Sequence, residues 1–105
     1  MNEITVLELK SKIDKGDDFQ LIDVREDNER EFANIGGDHI LMNSIAQNID
    51  KISKTKEVVI YCRSGIRSAR VAIFLENNHG FNKIYNLTGG ILAWADQVDN
   101  TIKKY

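Results

Sequence analysis

Strand-sized apolar runs recur along this chain, and they are near-continuous rather than alternating. Val58-Val59-Ile60, inside a strand over 57–61, is the strongest; strands over 20–24 and 83–87 repeat the pattern. A strand that is apolar at successive positions has to be covered on both faces. The segments between these runs have helical spacing instead. Val6, Leu9 and Ile13 share one face behind Thr5-Val6-Leu7-Glu8, a capping box in sequence, and Gly16 closes that helix. A helix over 68–78 carries Ala69, Val71, Ala72, Phe74 and Leu75; Gly80 stops it, with His79 as a C-terminal cap residue. Ile4 begins a short first strand, and a charged helix covers 27–33 until Gly36-Gly37 breaks it. A strand over 39–42 follows, then a helix capped by Asn43 or Ser44 with Ile45, Ile49 and Ile52 in helical register. Gly89-Gly90 turns the chain into a last helix through Trp94. This alternation predicts an α/β fold, a parallel sheet with helices on both faces. In such sheets ligands bind outside the carboxyl ends of the strands.

The length of 105 residues suits one domain over 1–105. A net charge of -2 speaks against a general nucleic-acid or membrane-surface binder, and the apolar run 71–75 is too short to span a bilayer. The single cysteine excludes an intramolecular disulfide and favours a reducing, cytoplasmic setting. The polar opening Met1-Asn2-Glu3 is unlike a secretory signal. The two histidines, His39 and His79, lack metal-site spacing, so neither metal nor cofactor is expected.

The lone cysteine, Cys62, follows at once on the strongest strand, and a helix starts around Arg67 or Ser68. Between them lie Arg63, Ser64, Gly65 and Ile66. A tight loop entering a helix aims N–H groups at a common centre, and the helix dipole adds positive potential. Arg63 and Arg67 add full charge. All of this favours thiolate over thiol and makes Cys62 a candidate nucleophile. The competing reading is a small buried residue filling a strand end. A protease-like pairing of Cys62 with His39 has no support in the sequence.

Four blocks carry a resemblance: LIDVRE at 21–26, EF at 31–32, CRSGIRS at 62–68 and NLTGGILAW at 86–94. In this order and spacing they resemble a single-domain rhodanese. The resemblance implies a parallel five-stranded sheet flanked by helices and sulfurtransferase activity through a persulfide on Cys62, cradled by the loop from Cys62 to Arg67. Its partners would be a small anionic sulfur donor such as thiosulfate, and cyanide, a thiol or a sulfur-carrier protein as acceptor.

Four residues separate Cys62 from Arg67. Phosphatases and arsenate reductases of the related fold use five, a wider nest suited to a tetrahedral oxyanion, and Ser68 stands where their arginine would fall. The sequence therefore resembles the sulfur-handling branch. Its loop also differs from the Cys-Gly-Ser-Gly-Val-Thr type of mercaptopyruvate sulfurtransferases. Arg67 is assigned to donor or persulfide electrostatics; Arg63 either attracts anionic donors or is simply solvated. Ser64 and Ser68 are hydrogen-bond donors to the site, with helix capping the competing role for Ser68. Asp23 and Arg25 of the DVR signature belong at a neighbouring strand end. There Asp23 would support the loop, by pairing with Arg67 or binding loop backbone. The charges over 26–31 read as a solvated face, and Phe32 and Trp94 as core packing. One departure stands out: Gly36-Gly37-Asp38-His39-Ile40 lacks the Gly-Ala pair and proline common in the family. A similar Gly-Gly variant occurs in rhodanese domains attached to adenylyltransferases of molybdopterin and thiamine sulfur transfer, which adds a sulfur relay, tRNA thiolation included, to the expected roles. A non-catalytic rhodanese-like interaction module is the alternative from another class.

Overall fold

In the computed structural model, which describes residues 1–105, five strands form one parallel sheet. The strands are β1 (Asn2–Ile4), β2 (Phe19–Asp23), β3 (Asp38–His39), β4 (Glu57–Tyr61) and β5 (Ile84–Leu87), in the order β1-β5-β4-β2-β3. The helices are α1 (Val6–Asp14), α2 (Asp27–Phe32), α3 (Ile66–His79) and α4 (Gly90–Gln97). β4 is central because its apolar residues are continuous: β2 pairs along its full length on one side and β5 on the other.

Side chains leave β4 on alternate faces. Val58, Ile60 and Cys62 join one core with Val71, Ala72 and Leu75 of α3. Val59 and Tyr61 join the other with Leu9 of α1 and Ile91 and Trp94 of α4. Both faces are therefore covered, as the unbroken apolar runs require.

The Thr5 capping box forms, with the Thr5 hydroxyl accepting from Glu8 N–H at 3.1 Å and Glu8 accepting from Thr5 N–H at 2.9 Å. Ile13, predicted on the buried face of α1, lies exposed near the end of the helix. The expected strand over 39–42 shrinks to Asp38–His39, at the sheet edge where only β2 offers partners. The helix expected beyond Asn43 is a tight 3-10 segment, Met42–Lys51, kinked at Asn48. Neither Asn43 nor Ser44 caps it. Instead the Asn48 side chain donates back to the Ser44 carbonyl at 2.7 Å, a local bond that competes with regular helix. α3 begins at Ile66, earlier than its sequence suggests, because Gly65 at φ 102° supplies the left-handed residue that turns strand into helix.

Candidate active site

Cys62 lies just past the carboxyl end of β4, almost fully buried. Two backbone donors converge on its sulfur, Gly65 N–H at 3.1 Å and Ser68 N–H at 3.4 Å, and the Ser68 hydroxyl lies 3.3 Å from it. Gly65 is the N-cap of α3, so Ser68 is its third residue and its N–H is one of the orphan donors of a helix start. The sulfur fills the place a capping oxygen would take. Ser68 therefore does not cap the helix, which was the competing role; its hydroxyl is turned inward to Cys62.

That hydroxyl carries one hydrogen and faces two acceptors, Cys62 Sγ and, at 2.5 Å, the side-chain oxygen of Asn86 on β5. The Asn86 amide group donates to the Gly65 carbonyl and to Glu3 Oε1, both at 3.2 Å. Asn86 thus ties the loop glycine and the loop serine to a rigid strand. It is buried, and no polar side-chain atom in the protein is buried without a partner. Its one sequence signal is a lone amide inside the otherwise apolar strand Ile84–Leu87.

The opening of α4 fixes the loop from the other side. Ile91 N–H donates to the Cys62 carbonyl at 3.0 Å and Leu92 N–H to the Arg63 carbonyl at 3.1 Å. This approach needs Gly90: a Cβ there would lie 2.5 Å from the Arg63 carbonyl oxygen and 2.6 Å from that of Cys62. The NLTGG block is thus legible physically, as one anchor amide and a glycine that admits backbone against backbone.

The arginines are placed differently from one another. Arg67 leans away from the sulfur onto α2, where Nη1 and Nη2 grip Glu29 Oε1 and Oε2 at 2.6 and 2.8 Å. It is held protonated by Glu29 first, with a weaker electrostatic contribution from Cys62. Glu29 is pulled down to about 2 by the Arg67 bond, reinforced by the Tyr105 hydroxyl, against the opposing effect of burial. Arg63 is exposed and donates through Nε to the Tyr105 main-chain oxygen at 2.6 Å. Ser64 and Ile66 are exposed on the outer rim of the loop.

Asp23 does not pair with Arg67, nor does it bind the backbone of the Cys62 loop. Its carboxylate takes Arg25 Nε at 2.9 Å and Nη2 at 2.8 Å, with Arg30 at 3.4 Å. Both Asp23 and Arg25 are completely buried. Burial would raise the Asp23 carboxyl, but the bonds from Arg25 outweigh it and hold the group below its ordinary range. Arg25 also reaches the Ala33 carbonyl at 2.7 Å and the Tyr105 hydroxyl at 2.9 Å. The pair fastens α2 to the sheet, and α2 carries Glu29. The signature thus reaches the loop through Glu29 and Arg67, two contacts further than expected.

The charged stretch over 26–31 is not wholly solvated, since Glu29 is turned inward. Phe32 is exposed rather than core, lying edge-on to Tyr105. Trp94 is core. His39 Nε2 meets the Arg25 carbonyl at 2.6 Å, and no hydrogen bond joins His39 to Cys62. Glu29 and Tyr105 escaped sequence reading because neither breaks its local pattern; only the tertiary fold brings them to Arg67.

Comparison with known proteins agrees with this geometry. The model of the family described as "Rhodanese-like domain" matches residues 5–97. YtwF of Bacillus subtilis is 41% identical over 98 residues, covering 92% of this chain and 93% of that one. A protein of Allochromatium vinosum named "Sulfurtransferase" is 35% identical over 96 residues, covering 90% of this chain and 89% of its own. Among solved structures, a rhodanese-like domain protein from Staphylococcus aureus superposes with a TM-score of 0.84 at 33% identity, covering 100% of this chain and 99% of that one. Some relatives are much longer: the chain spans 26% of "Probable adenylyltransferase/sulfurtransferase MoeZ" of Mycobacterium tuberculosis, at 33% identity over 105 residues and 97% of this chain.

Proposed function

Because this chain belongs to the rhodanese-like family, we propose that it is a sulfurtransferase whose sulfur is carried as a persulfide on Cys62. The carrying observation is the convergence of Gly65 N–H and Ser68 N–H on one buried sulfur, with the Ser68 hydroxyl beside it. Donors fixed in advance stabilise negative charge without reorganising when it develops.

The cycle is two displacements. The Cys62 thiolate attacks the outer sulfur of a donor such as thiosulfate. A sulfur–sulfur bond forms at Sγ, the donor's own bond breaks, and sulfite leaves with the electron pair. An acceptor nucleophile, cyanide in an assay or a thiolate, then takes the outer sulfur, and Cys62 leaves as thiolate. Gly65 and Ser68 hold the charge on sulfur; Asn86 and Gly90 hold the loop; Arg67 closes it, with its guanidinium paired to Glu29. A free thiol with this task suits the reducing cytoplasm.

Arg67 supports sulfur handling over phosphate chemistry, because both arms of its guanidinium are committed to Glu29 and leave no fork for a phosphoryl group. Likeness to MoeZ supports a relay in which the acceptor is a carrier protein. Thiocyanate production from thiosulfate and cyanide, lost in Cys62→Ser, tests the reading. Absence of thiocyanate with hydrolysis of an aryl phosphate would replace it.

A further inference from the structure

The two arginines of the loop, Arg63 and Arg67, are already occupied. Arg67 gives both arms to Glu29, at 2.6 and 2.8 Å, and Arg63 donates to the Tyr105 main-chain oxygen. Glu29 is in turn fixed from three sides. Beyond Arg67, its Oε2 takes the Tyr105 hydroxyl at 2.7 Å and its Oε1 takes Glu26 N–H at 3.1 Å. Its side chain is only 13% exposed, and with its carboxyl drawn down to about 2 it stays ionised at neutral pH. A donor approaching Cys62 therefore meets a neutralised Arg67–Glu29 pair where a bare cation would otherwise stand.

We propose that Glu29, acting through Arg67, sets the donor preference of the site by charge, favouring singly charged sulfane donors over dianionic thiosulfate. This deepens the sulfurtransferase reading and rests on it for the identity of the donor. A thiosulfonate has the same outer sulfur as thiosulfate but one negative charge: attack by Cys62 forms the same bond and expels a sulfinate with the electron pair. Each unit of charge is repelled by Glu29 over a path that solvent and salt screen only in part. Glu29 is a positioning residue, since it touches Arg67 and not the sulfur.

Glu29→Gln keeps the shape of the side chain and removes the charge; its amide oxygen can still accept one arm of Arg67, while its amide nitrogen can no longer accept the other. Two ratios are measured in the intact protein. The first is the rate of Cys62 alkylation by iodoacetate, an anion, over that by iodoacetamide, which is neutral; ionisation of the thiol cancels in this ratio. It is expected to rise about three- to tenfold in Glu29→Gln and to converge on the wild-type value in high salt. The second is kcat/KM for thiosulfate over that for methanethiosulfonate, expected to rise by a similar factor through a lower thiosulfate KM. Arg67→Gln removes the cation and should move the alkylation ratio below wild type; adding Glu29→Gln to it should bring the ratio back up, and that second step decides the matter if Glu29→Gln alone misfolds. An alkylation ratio that stays put in every folded variant overturns the proposal. A ratio that moves, in a protein that accepts sulfur from neither donor, upholds the electrostatic role of Glu29 and refutes the sulfurtransferase reading instead.

Discussion

Cys62 and Ser68 are joined twice: the sulfur accepts the backbone N–H of Ser68 at 3.4 Å and faces its hydroxyl at 3.3 Å. The Cys62 sulfur is thereby also the side-chain acceptor at the start of α3. Position and chemistry are one property here, because the helix start that needs an acceptor is also the group that stabilises a sulfur anion.

The two roles separate by substitution. Cys62→Ser retains an acceptor at the helix start, so the fold should lose little, while sulfur transfer falls by at least about a thousandfold. Cys62→Ala should lose transfer equally and about 1 kcal/mol more stability. Urea unfolding together with thiocyanate release checks both; substantial turnover in Cys62→Ser would refute the assigned nucleophile.

Arg25 and Arg63 should respond in opposite ways to removal. Arg25 is completely buried against Asp23, so Arg25→Ala strands a buried carboxylate and should cost about 3–5 kcal/mol. Arg63 is exposed, and Arg63→Ala should cost about 1 kcal/mol or less. Denaturant midpoints at constant slope measure the difference. Equal losses would mean that the Asp23–Arg25 pair does not fasten α2.

Gly90→Ala should be among the more damaging small substitutions. Its φ of 59° disfavours any side chain, and the new Cβ would press on the carbonyls of both Cys62 and Arg63 at 2.6 and 2.5 Å. A stability loss of about 2 kcal/mol or more is expected, with slower sulfur transfer because the loop must shift. Gly36→Ala, which meets nothing within 4 Å, should lose only about 1 kcal/mol and leave transfer intact. Thermal melts and steady-state rates on the two variants decide it.

Glu29 also leaves a mark on the acid side of the stability curve. Its carboxyl is drawn down to about 2 in the folded protein from an ordinary 4.5, chiefly by Arg67. Between these values the unfolded chain binds more protons, so the stabilisation is complete above about 4.5 and drains away as pH falls towards about 2. Arg67→Ala should return the Glu29 midpoint towards its ordinary value and flatten that part of the curve. Carbon-detected NMR titration of the carboxyl reads the midpoint; no upward movement would show that Arg67 is not what holds it.

The sheet was legible because the runs in β2, β4 and β5 are near-continuously apolar rather than alternating, and burial on both faces explains that. Cys62 was legible because a strand end, a glycine and a helix start coincide there. Local signals did not extend to Glu29, Asn86 or Tyr105. Glu29 sits among like charges, Asn86 is one polar residue in a strand, and Tyr105 lies far from the loop in sequence. Their roles exist only once β5, α2 and the segment after α4 have converged at the carboxyl end of the sheet. Neither expected role of Asp23, pairing with Arg67 or binding the loop backbone, is seen, because Arg25, two residues away, takes its carboxylate and Arg67 is taken by Glu29. The 3-10 segment Met42–Lys51 was misread because isoleucines at helical spacing describe a buried face, not the backbone that presents it.

The most direct measurement is the intact mass of the wild-type protein and of Cys62→Ser after incubation with thiosulfate or methanethiosulfonate under non-reducing conditions, followed by peptide mapping. Wild type should gain the mass of one sulfur atom, mapped to Cys62 and removed by cyanide, while Cys62→Ser gains none. A wild-type protein that acquires no sulfur from either donor while Cys62 alkylates freely, or sulfur found on the Cys62→Ser variant, would contradict persulfide transfer through Cys62.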